Sequence, residues 1–137
     1  YLAALLAEAP VLPQPGEMLY EQACQPCHQP DGEGLAGFYP SLRSSSWIEG
    51  DLSRLVRVVL HGLEGPLTIN GQAFEARHGN PMPGFEGLTD EQISQLLTFL
   101  RQAFDNQAGA VSAPEVAAIR RAHAQHAGPW TQASLEP

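Results

Sequence analysis

Two cysteines stand three residues apart and are followed at once by a histidine, in Cys24-Gln25-Pro26-Cys27-His28. Two thiols about one helical turn apart can reach the two vinyl groups of one porphyrin. The next residue then projects its imidazole toward the iron. Cys-x-x-Cys-His is the attachment signature of c-type haem, with Cys24 and Cys27 as thioether donors and His28 as an iron ligand. Two other chemistries use paired cysteines. A thioredoxin-like redox pair needs alternating strands and helices around the motif, and none are visible. Zinc needs further Cys or His at fixed spacing, and His61 and His78 do not form such a pattern.

A haem iron needs a sixth ligand or an open face. Met82 is the expected ligand, held in Asn80-Pro81-Met82-Pro83-Gly84-Phe85 by prolines that stiffen the loop. Ordinary core filling is the plain alternative for a methionine. Met18 lies on the cysteine-bearing helix and points poorly. His61 and His78 are the alternative ligands, although His61 at a helix C-terminus also suits a dipole cap. A ligating imidazole donates its free N–H to a carbonyl. The backbone oxygen of Pro40, twelve residues after His28, is the expected acceptor. Arg43 and Trp47 are candidate donors to the haem propionates. His123 and His126 are expected on a solvated helix face.

The elements that position these residues follow from local signals. Helix one is expected over Gly16 to Cys27, with Gly16, Tyr20 and Cys24 on one face. Residues 29–50, rich in glycine, proline and serine, read as loop. Leu52, Leu55, Val56, Val59 and Leu60 give a helical stripe over Leu52–His61, with Asp51 as cap and Gly62 as stop. Asn70-Gly71 between Leu67-Thr68-Ile69 and Gln72-Ala73-Phe74 predicts a two-stranded hairpin, since a type I′ turn needs two positive φ angles. Thr89-Asp90-Glu91-Gln92 is a capping box for a third helix, whose buried stripe is Ile93, Leu96, Leu97 and Leu100. A fourth helix is expected over Pro114 to His126 and an irregular tail from Gly128. The fourth helix is expected to pack across the core and leave the haem edge open.

Composition agrees with one compact domain. The chain has 137 residues, 43% hydrophobic but only 7% aromatic, so a large flat cofactor would supply apolar volume. The net charge is −8, seven Lys+Arg against fifteen Asp+Glu, with no basic run. That excludes nucleic acid and an acidic membrane surface as natural partners. No segment reaches the length of a transmembrane helix. Residues 1–15 read as a helix remnant and a Pro-rich linker, 16–105 as the main domain and 106–137 as a helical extension. Tyr1 to Leu5 repeats the pattern around Phe99 and Leu100, which hints at an earlier, similar module in a longer polypeptide.

Taken together, the Cys24–His28 motif, Pro40-Ser41-Leu42, Met82-Pro83 and the Phe99-bearing helix resemble a class I cytochrome c domain over about residues 14–105. The resemblance implies a mostly α fold of about four helices around one covalent haem c, with a small hairpin near 67–74. It also implies that Gly16 and Tyr20 meet Leu96 and Phe99 where the first and last helices cross. The stretch Leu60 to Gly71 is similar to the haem modules of bacterial quinoprotein dehydrogenases and copper nitrite reductases. Glu75 to Asn80 make a longer approach to Met82 than in those modules, and Val111 to Trp130 is similar to their C-terminal extension. One-electron transfer is the implied function, without enzymatic residues of its own. The implied partners are a redox donor and acceptor, such as a quinoprotein dehydrogenase or a terminal oxidase or reductase, on the periplasmic side of a membrane. The rival functions are a relay module of a larger multihaem enzyme and a ligand-binding haem protein with an open sixth site.

Overall fold

The computed structural model describes residues 15–76 and 81–136. The helix remnant expected at 1–7, most of the linker at 8–15, and the approach to Met82 through His78 lie outside the described residues. Helix α1, Pro15–Ala23, opens on a proline, whose missing N–H is harmless in a first turn, and buries Gly16 and Tyr20. The expected helix to Cys27 is interrupted at Cys24, and α2, Gln25–His28, starts a fresh turn. Pro26 accounts for the break: it cannot donate to the carbonyl four residues back, and its ring crowds that carbonyl. The Cys24 amide still donates to Tyr20 (2.9 Å) and the His28 amide to Cys24 (2.9 Å), so the chain keeps its direction.

The stretch expected as loop contains one short helix, α3, Ser46–Glu49. The Ser45 hydroxyl caps it by accepting the Trp47 amide, and Trp47 and Ile48 are buried. Helix α4, Leu52–His61, has the expected bounds and the Asp51 cap. Strands β1, Leu67–Ile69, and β2, Gln72–Phe74, pair antiparallel with Leu67 opposite Phe74. Asn70 and Gly71 turn between them at φ 52° and 77°, as a tight hairpin demands.

Helix α5, Asp90–Gln102, carries the expected capping box between Thr89 and Gln92, and its stripe of Ile93, Leu96, Leu97 and Leu100 is buried. Helix α1 packs across α5, with the Tyr20 ring 5.6 Å from that of Phe99. Helix α6, Ala113–Ala122, lies on α5 and α4 and buries Val116 completely.

Two expectations fail at the C-terminal end. Helix α6 stops at His123 rather than running to His126. His123 and His126 therefore do not lie on a helix face. They gather on Trp130: His126 stacks on the indole at 3.4 Å between centroids, and His123 meets it edge-on at 5.7 Å. A turn at Gly128, φ 77°, brings Trp130 back beneath them. The tail is not irregular either, since Thr131 and Ser134 form a capping box for a last helix, α7, Gln132–Leu135. Among the described residues the fold thus has seven helices and one two-stranded sheet.

Two apolar clusters result. The larger joins Tyr20, Ile48, the α4 and α5 stripes, Val111 and Val116. The smaller joins Trp47, Val58, Leu63, Leu67, Trp130 and Leu135, with Met82 and Phe74 packed against it.

Candidate functional site

A cleft with about 900 Å³ of empty space opens between these clusters. Ala23, Cys24, Cys27 and His28 line it together with Leu63, Leu67, Phe74, Met82 and Phe85. Phe38, Tyr39 and Pro40 contribute to its lining. The lining is mostly apolar, as small-molecule sites are.

His28 is buried, with Nδ1 2.9 Å from the Pro40 carbonyl oxygen. The carbonyl can only accept, so Nδ1 carries the proton and Nε2 keeps its lone pair. Burial pushes the His28 pKa below its ordinary value, against a smaller opposite pull from the Pro40 carbonyl. A neutral imidazole with a fixed tautomer is what a metal ligand requires. The 28–40 loop is shaped by the Gly34 amide donating to the His28 carbonyl (2.9 Å) and by a bridge between Leu35 and Tyr39. That folding brings Pro40 back over the imidazole.

Burial, with the neighbouring Cys27 adding to it, pushes the Cys24 thiol up to about 12. A redox-active Cys-x-x-Cys needs the opposite shift, so the thioredoxin-like alternative has no support in this environment. Nor do the described residues contain a group of three or more His, Cys, Asp or Glu placed to hold a metal. Two thiols, one neutral imidazole and one thioether lining a single apolar cleft fit a large flat iron porphyrin better than a bare ion.

Met82 is half-buried, and its position is set by backbone. Its amide donates to the Leu63 carbonyl (2.8 Å), and the Leu63 amide donates to the Met82 carbonyl (3.2 Å). Gly62, at φ 90°, makes this approach possible, because a Cβ there would collide with the Met82 carbonyl oxygen.

Arg43 and Trp47, the candidate propionate donors, are not among the residues that line the cleft. The Arg43 guanidinium pairs with Glu33 (3.2 Å) and Asp105 and donates to the Asp31 carbonyl (3.1 Å). Trp47 donates its indole N–H to the Thr68 carbonyl (2.9 Å) and lies beneath the Arg54 guanidinium. Met18 is an exposed residue on α1.

His61 is likewise not among the cleft residues. Its Nδ1 accepts the Trp130 indole N–H (3.3 Å), and Nε2 faces Glu86 at 3.8 Å. Burial lowers its pKa from the ordinary value of 6.5, Glu86 opposes that shift, and His126 and Arg120 reinforce it. The unfolded chain therefore binds this proton first. Stability from His61 is complete above about pH 6.5 and is lost as pH falls from there toward the lowered folded value. Denaturant titrations of the haem-loaded protein at about pH 7.5 and 5.5 should show this loss, and His61→Gln should shrink it. An unchanged pH dependence in the variant would sink the assignment.

A cytochrome c family model matches residues 13–104. The chain belongs to the cytochrome c family. Members of this family carry covalently bound haem c, and their work is electron transport. The chain is 35% identical over 108 residues to the cytochrome subunit of a fructose dehydrogenase from Gluconobacter japonicus, covering 77% of this chain and 22% of that one. It is 32% identical over 121 residues to the cytochrome c subunit of a quinone alcohol dehydrogenase from Gluconacetobacter polyoxogenes, covering 86% and 25%. Against cytochrome c-552 of Thermus thermophilus it is 31% identical over 93 residues, covering 65% and 67%. This cytochrome c chain thus spans a quarter or less of the dehydrogenase subunits it matches. Among the described residues, no helix is long and apolar enough to cross a membrane.

Sequence reasoning missed Phe38, Leu63 and Phe74 as cleft residues. Each is an ordinary apolar residue whose role depends on tertiary placement. The Leu60 to Gly71 likeness was the one signal that pointed to Leu63.

Proposed function

We propose that the chain is a one-electron carrier whose haem is held by Cys24 and Cys27 and ligated by His28 and Met82. The observation that carries this reading is the joint placement of all four side chains in one apolar cleft. Bound haem supplies a one-electron ferrous–ferric couple. Cys24 and Cys27 anchor it, and His28, held by Pro40, presents Nε2. Met82 offers a soft thioether from the same cleft, which favours the reduced state, and the apolar lining excludes water and does the same. Met82 in the lining speaks against an open sixth site.

Residues 16–105 form the electron-carrying unit and 106–137 an extension that packs on it. The likeness to cytochrome subunits of fructose and alcohol dehydrogenases favours work as a relay module beside a quinoprotein dehydrogenase, on the periplasmic side of the membrane. An acidic chain of net charge −8 suits a neutral or basic docking partner.

Matured protein should give a c-type pyridine haemochrome that survives acid–acetone extraction, and a weak far-red band when oxidised. The double variant Cys24→Ser, Cys27→Ser should lose its haem to the solvent. Haem retained covalently by that variant would refute the attachment.

A further inference from the structure

Leu63 is the middle rung of a three-segment bridge. Met82 pairs with it antiparallel on one side, through the two backbone bonds already described. Trp130 runs parallel on the other: its amide donates to the Gly62 carbonyl (3.0 Å), and its carbonyl accepts from the Glu64 amide (2.8 Å). The Trp130 ring is buried in the same cluster as Leu63 and Leu67, against which Met82 packs. Two residues on, the Gln132 side-chain oxygen accepts the Thr68 amide (2.7 Å). The segment therefore grips both the Leu63 stretch and strand β1, and Leu63 and Leu67 are themselves cleft wall. Residues 128–135 lie beyond the part of the chain that the family model matches.

We propose that Trp130 is a positioning residue for the axial ligand, and that residues 128–135 act as a strap holding Met82 in place. The inference rests on Met82 being the sixth ligand. Without the strap, Leu63 would be an exposed edge and its two bonds to Met82 would fray with it. A strapped Leu63 is a central rung, so Met82 leaves the cleft less often. A weak thioether bond gains most from such prior ordering, because a competitor must wait for the ligand-off state.

Imidazole titration of the oxidised haem-loaded protein reads that state directly, by loss of the far-red band. Trp130→Ala should bind imidazole about tenfold more tightly than the wild type. Trp130→Phe should stay within about twofold, since it keeps an aromatic ring in the cluster that anchors the strap. Val116→Ala serves as the control, because Val116 is fully buried in the other cluster. It should lose thermal stability and leave imidazole affinity unchanged. If Trp130→Ala folds poorly, Leu135→Ala loosens the same strap and should tighten imidazole binding about threefold. Wild-type affinity in Trp130→Ala or, where that variant does not fold, in Leu135→Ala would overturn the proposal. So would an equal shift in Val116→Ala at matched stability loss. A wild type without a far-red band would refute Met82 ligation itself and the strap with it, and that spectrum alone separates the two failures.

Discussion

Met82→Ala should lower the reduction potential of the haem-loaded protein by about 0.2 V, a quarter of the ~0.8 V range that axial ligands span. The oxidised spectrum should lose its far-red band in the same step. The size follows from what alanine removes. The thioether favours ferrous iron, and alanine offers no donor in its place. Backbone bonds, not the side chain, hold residue 82 to Leu63, so the loop should keep its path while the donor disappears. Potentiometric titration beside the wild type decides the matter. A potential within experimental error of the wild type would show that Met82 is packing and not ligand.

The second large effect concerns the helix crossing. Gly16→Ala should destabilise the protein by about 2 kcal/mol, and the thermal midpoint should fall by roughly 10 °C. Alanine is the better helix former by about 1 kcal/mol, so propensity alone predicts the opposite sign. Packing decides it. A Cβ at Gly16 would sit on the Gln95 carbonyl oxygen and 2.8 Å from the Phe99 Cβ. Neither atom is the end of a flexible chain that could turn aside. Helices α1 and α5 would have to separate, loosening the stack of Tyr20 on Phe99 and Phe104. Thermal melts of the haem-loaded protein check this, and a raised midpoint would mean that the crossing tolerates a methyl group.

The legible parts of this fold are those whose causes are local. Helix α4 is announced by its stripe and by Asp51, α5 by its capping box, and the hairpin by Asn70-Gly71. The cysteine motif is legible for the same reason: its chemistry needs residues within one turn. What the sequence hides depends on partners far away. Asp105 as partner of the Arg43 guanidinium and Thr68 as acceptor of the Trp47 N–H are visible only once the chain is folded. The tail looked irregular because its one local sign, Thr131 with Ser134, lacks the usual Glu or Gln. Its burial depends on Leu63 and Arg57, which no local pattern links to it. Pro26 is a local breaker in plain sight, and it ends the first helix before Cys24.

The parallel bridge between Leu63 and Trp130 also sets an order of assembly in time. Trp130 pairs with a residue more than sixty positions earlier in the chain, a non-local contact whose loop-closure entropy must be met before the pairing rewards it. Until that contact forms, the Met82 wall lacks its outer support and the cleft is an open trough. A bulky planar molecule can be laid into a trough far more readily than threaded into a finished pocket. The docking of Trp130 and Leu135 then closes the wall from outside.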